Sequence, residues 1–200
     1  MKCLLQKLQY KLGPYYDVVI FAVTLLVANG LWKLTIGGDE HGDYVTLFGL
    51  DVSPFFAAVT QHVADAVYGC VHLVRDTVHL TGRRVWFDSG NGSRIVWGCS
   101  GIKQAWIWFA LMLTTRGRWL HKLWFIPLGW LICHGFNILR ISLISLFIEF
   151  HPERFHFLHD YLFKYLFYGL MFLLWVLWIE KIADPPTRTP ADQINQKFKI

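Results

Sequence analysis

From residue 123 to residue 146 the chain carries a single formal charge, Arg140, in a run otherwise dominated by Leu, Ile, Phe and Trp. About 24 residues at the helical rise cover roughly 36 Å, more than the hydrocarbon core of a bilayer. Inside lipid, backbone N–H and C=O groups must be paired within the segment itself, so such a run folds as a helix. Three more apolar stretches, residues 16–34, 102–115 and 157–179, accompany it, the second of them short. With 54% hydrophobic residues, ten Trp and a mean hydropathy of +0.37, the composition is that of a polytopic membrane protein.

The expected fold is all-α: about four transmembrane helices, an amphipathic helix and a small extracytoplasmic hairpin. Residues 1–183 form one integral membrane domain, of which 36–98 are mainly extracytoplasmic. Residues 184–200 are polar and contain Pro, and are expected to be a disordered cytoplasmic tail. The first apolar run lacks a small-residue cleavage pattern after it and reads as a signal anchor. The net charge of +5 comes without a basic run, an RNP-like motif or finger spacing, which argues against nucleic acid as a partner. The bilayer itself is the expected partner, and the basic residues at loop ends report topology.

Residues 52–74 carry a polar stripe, Gln61, Asp65 and His72, opposite Phe55, Phe56, Val59, Val63, Val67 and Val74. The pattern predicts an amphipathic helix lying on or dipping into the membrane, with a spanning helix whose stripe faces the bundle as the alternative. If it does not cross, Lys2, Lys7 and Lys11, the loop 116–122 and Lys181 all fall on the cytoplasmic side, as the positive-inside rule prefers. Residues 85–87 and 94–97 flank a turn-rich stretch at 88–93, which suits a hairpin delivering Cys99 to the next helix, or else an irregular loop.

A guanidinium at membrane depth is a functional-site hypothesis in its own right. Two other reactive residues bracket Arg140: Cys99, just before one apolar stretch, and His159, at the mouth of another. Arg116 to Cys99, Lys122 to Arg140 and Lys181 to His159 are each separated by about 17 to 22 residues, roughly 25 to 33 Å of helix. Measured from the cytoplasmic edge, all three therefore reach the outer interface.

Cys99 precedes a helix, where the dipole favours a thiolate and makes it a candidate nucleophile. Gly101 lets substrate backbone approach, and the N–H groups of Ser100 to Ile102 can receive an oxyanion. His159 has the pKa range of a general acid or base, with Asp160 as a candidate orienting carboxylate and His156 as its rival. Arg140 stays charged and suits oxyanion stabilisation or a grip on a carbonyl, and Asn137 is placed to hold the guanidinium or a backbone segment. Each has a plainer reading: packing for Cys99, an interfacial histidine for His159, snorkelling for Arg140. Of the other cysteines, Cys133 reads as structural, Cys3 lies on the cytoplasmic side, and Cys70 is a free thiol or a disulfide partner that would silence Cys99. No C-x-x-C pair occurs, and neither a metal site nor another cofactor is expected.

Cys99-Ser100-Gly101, followed by Asn137-x-x-Arg140 late in a later span and His159-Asp160 opening the last, resembles the exosortase/archaeosortase family over about residues 97–178. The resemblance implies a membrane-embedded, sortase-like cysteine peptidase/transpeptidase with Cys99 as nucleophile, Arg140 as oxyanion stabiliser and His159 as acid/base. It implies as partners exported proteins ending in a short motif, a transmembrane helix and a basic cluster, processed at the outer face of the cytoplasmic membrane. The chain departs from the family in having fewer spans and in placing its first glycine after the His only at Gly169. Two other classes stand beside it: a small haem- or quinone-binding electron carrier using His134, His156 and His159, and a non-catalytic scaffold in which Cys99 is dispensable.

Overall fold

The computed structural model describes residues 13–39 and 42–183, apart from the side chains of Pro14 and Asp160. Among the described residues there are five α-helices: α1 Tyr16–Thr35, α2 Ser53–His72, α3 Ile102–Thr114, α4 Trp119–Ile148 and α5 Phe163–Leu177. A π-helical turn at Phe157–Leu162 leads into α5 and another, Trp178–Ile182, follows it. The protein is mostly helical. Cys3 and the tail at 184–200 lie outside the described residues.

Among the described residues, three segments are long and apolar enough to cross a membrane, Tyr16–Thr35, Trp119–Ile148 and Pro152–Ile182, where about four spans were expected. The difference is α3. It has 13 residues, about 20 Å of helix against a core of roughly 30 Å. Gly101, at φ 83°, precedes it and Thr115 leaves it in an extended conformation. It packs between α1 and α4 and buries Ile107, Trp108, Leu111 and Met112 completely or nearly so. Its hydrophobicity serves a protein core, which composition alone does not distinguish from a span.

Two small antiparallel sheets accompany the helices. The anticipated hairpin exists, as β5 Arg84–Phe87 and β6 Gly92–Arg94, with β4 Val78–Thr81 added on the other side. Its register sets Arg84 opposite Arg94 and Trp86 opposite Gly92. A Cβ on Gly92 would sit 2.6 Å from Trp86 Cα, so only glycine fits there. The other sheet, β1 Ile36–Gly38, β2 Val45–Leu47 and β3 Leu50–Asp51, was not anticipated. Strands of two or three residues are too short to show alternation.

Helix α2 matches the amphipathic prediction in extent, and its apolar face is covered by protein. Val63, Val67 and Val71 are buried where α2 meets α4 and β4, and Phe56 is buried against Val45 and Trp97. Phe55 and Val74, assigned to the same face, are 59% and 68% exposed. Gln61 donates to Asp65 at 2.9 Å and to the Gly82 carbonyl at 3.1 Å. Neither Gln61, Asp65 nor His72 lines the central cavity.

Loop 115–118 ties one end of the bundle together. Arg116 pairs with Asp17 at 3.0 Å, and the indoles of Trp178 and Trp175 donate to Arg116 O and Thr115 Oγ1. Lys122, read as a loop charge, is instead 3% exposed, with its ammonium donating to the Thr115 carbonyl. The start of α1, the end of α3, the start of α4 and the end of the last segment thus share one end. Cys99, Arg140 and His159 lie toward the opposite one.

Candidate active site

Cys99 ends a 3-10 turn, Trp97–Cys99, anchored because the Trp97 side chain is buried against Val45 and Phe56. Its own N–H donates to Val96 O at 2.8 Å. Asn137, 1% exposed on α4, donates from Nδ2 to the Cys99 carbonyl at 2.8 Å. Of the two tasks foreseen for Asn137 it performs the second, holding backbone.

Gly101 also has a different task from the one expected. Its φ is +83°, and a Cβ there would come within 3.3 Å of Asn137 Nδ2, so glycine is required by both the left-handed turn and the approach of Asn137. The backbone oxyanion site is narrower than anticipated. Ser100 N–H donates to Trp97 O at 3.0 Å and Ile102 N–H faces its own capping partner, Ser100 Oγ, at 3.4 Å. Ser100 is buried and serves the turn, which leaves the Gly101 N–H as the donor of the three without an acceptor among the described residues.

His159 belongs to the π-helical turn, an extra-residue winding often found at functional sites. Its ring stacks on Phe155, with centroids 5.3 Å apart and planes 15° from parallel, and Nε2 lies 3.8 Å from Cys99 Sγ. His156 lines the same cavity, but the thiol contact is made by His159. The Asp160 side chain lies outside the described residues.

Arg140 stands one turn beyond Asn137 on α4, is 6% exposed and has a buried Nε with no hydrogen-bond partner among the described residues. Cys99, Arg140 and His159 all line one cavity of about 1130 Å³. Burial pushes the Cys99 thiol up, but the hydrogen bond and charge of His159, with the Arg140 charge and the Val96 contact, hold it below the ordinary thiol range. A thiolate is therefore available at lower pH than in a free cysteine.

That balance has a measurable consequence. The pH midpoint for alkylation of Cys99 by iodoacetamide is expected to lie below that of an ordinary free thiol. Reactivity is lost as pH falls through that lowered midpoint. His159→Ala removes the hydrogen bond and the charge together, leaving burial less opposed, so the midpoint is expected to rise. An unchanged midpoint would separate His159 from the thiol.

Cys70, Cys99 and Cys133 are all free, so Cys70 does not silence Cys99. Sequence reasoning missed Gln104, which lines the cavity with a buried Oε1 that has no partner among the described residues. Its signal was a carboxamide in the first turn of an apolar helix, directly after Cys-Ser-Gly. His134 lies outside this cavity and stacks on His62 and Trp130 at 5.5 and 5.7 Å. The three histidines considered for an electron carrier therefore do not converge.

No curated protein and no solved structure matches the chain. The family model described as transmembrane exosortase matches residues 45–180, more than half of the chain, a range that takes in Cys99, Arg140 and His159. The chain belongs to the transmembrane exosortase family.

Proposed function

We propose that this protein is a cysteine peptidase/transpeptidase that cleaves C-terminal sorting signals of exported proteins at the outer face of the cytoplasmic membrane. The observation that carries the reading is the Cys99 Sγ to His159 Nε2 approach of 3.8 Å in a cavity that Arg140 also lines. Free enzymes often hold such contacts loosely, and they tighten with substrate.

In this reading the Cys99 thiolate attacks the scissile carbonyl, and the oxyanion is met by the Arg140 guanidinium. His159 gives its proton to the leaving amine, and a thioester remains on Cys99. An amine or water then takes the acyl group. Asn137 fixes the nucleophile's backbone through the Cys99 carbonyl, so it is a positioning residue. The substrates are proteins with a short motif, a transmembrane helix and a basic cluster, the last span entering from the bilayer.

Co-expression tests the proposal. An exported protein with such a tail, encoded beside this chain, is expected to be shortened at the motif when the wild-type chain is present. A tail of unaltered length in cells that hold the folded chain would contradict it.

A further inference from the structure

Among the described residues, five cationic side chains line the cavity, Arg84, Arg94, Lys103, Arg140 and Lys164, and no Asp or Glu does. Two of them are set against each other. Arg84 and Arg94 are direct partners in the β5–β6 ladder, so their side chains leave the same face of the sheet, where like charges destabilise the pair. Asp43 answers part of this. Its carboxylate accepts from Arg94 Nη2 at 2.9 Å and also from Arg83, and both arginines hold it below the usual carboxylate range, the Arg83 hydrogen bond foremost. One carboxylate thus serves two guanidiniums, while Arg84 has no hydrogen bond or ion pair among the described residues. Arg83, Arg84 and Arg94 against the one carboxylate of Asp43 leave a formal excess of two positive charges in this side-chain cluster, of which Arg84 and Arg94 line the cavity.

We propose that the Arg84–Arg94 pair is a phosphate subsite, and that the acyl acceptor is a primary amine carrying a phosphate monoester. Such a monoester brings about −1.5 to −2 charges, close to the local excess, whereas a carboxylate or a lipid phosphodiester brings one. Planar guanidinium forks match tetrahedral phosphate oxygens. The subsite and Cys99 line one cavity, so an acceptor bound at the arginines occupies the same space as the thioester.

The acceptor role rests on the thioester reading of Cys99. The neutral amine attacks the thioester carbonyl, a C–N bond forms, the C–S bond breaks, and its electron pair leaves on Sγ. The amine proton passes to His159 and from there to the thiolate, regenerating thiol and neutral imidazole.

Calorimetric titration of the full chain in detergent with phosphoethanolamine, at fixed ionic strength, tests the subsite. Binding is expected in the wild type and equally in Cys99→Ala, so a failure of the cysteine chemistry leaves this measurement standing. Arg84→Gln, which breaks no ion pair among the described residues, is expected to weaken it by about tenfold or more, the scale of a charge-assisted contact. Arg84→Lys is expected to fall between the two and guards against misfolding as the cause. Absent binding, unchanged affinity in Arg84→Gln, or equal binding of ethanolamine without phosphate would each overturn the subsite. Blockade of the site by phosphatidylglycerol in nanodiscs, with phosphoethanolamine binding only in their absence, would overturn the monoester and assign the pair to lipid headgroups.

Discussion

Cys99→Ala is expected to reduce substrate processing to background, a loss on the order of 10⁴ to 10⁶ for removal of a sole nucleophile. The protein is expected to fold and insert normally. Only Sγ is lost, while the 3-10 turn and the Asn137 bond to the residue 99 carbonyl involve backbone that the substitution leaves in place. Western analysis of a co-expressed substrate, beside a thermal unfolding curve of the variant in detergent, separates the two effects. Full processing by Cys99→Ala would return the chain to the scaffold reading.

Arg140→Lys comes second, with an expected fall of about 10² to 10³ in turnover, the scale for losing one oxyanion donor. A lysine keeps the charge but gives up the planar fork and its fixed donors. Arg140 is 6% exposed, lines the cavity and has a buried Nε with no hydrogen-bond partner among the described residues. The Cys99 thiol is held down first by His159 and only then by Arg140. Arg140→Lys is therefore expected to leave the alkylation midpoint of Cys99 nearly in place, unlike His159→Ala. Turnover within a few-fold of wild type would make Arg140 a structural cation.

The long apolar runs were readable from the sequence because they follow from length and rise, and the hairpin because its turn residues mark it; Cys99, Arg140 and His159 do line one cavity, although the rise arithmetic that brought them together counted Ile102–Thr114 as a span. What was not readable depended on neighbours distant in the chain. Ile102–Thr114 looks like a span because hydrophobicity reports burial and does not say whether lipid or helix does the burying. The same holds for Val63 and Val67 of α2, which meet α4 instead of lipid. Gly101 was read as room for substrate, and the space is taken by Asn137, 36 residues later in the chain. Lys122 was counted as a topology signal, but its ammonium caps a carbonyl of the preceding loop. The π-helical turn that presents His159 has no sequence signature of its own. The opposed Arg84 and Arg94 became visible only once the register was known.

The central claim is that acyl transfer passes through Cys99, and the most direct measurement is the mass of the Cys99 peptide during turnover. In His159→Ala, slowed by about 10² to 10⁴ through loss of the acid/base group, the account predicts an adduct on that peptide. Its mass should equal the substrate fragment up to the cleavage point joined as a thioester, and hydroxylamine should release it. Substrate cleaved by this variant with the Cys99 peptide unmodified at every time point, or a hydroxylamine-labile adduct on Cys70 or Cys133 instead, would contradict the account.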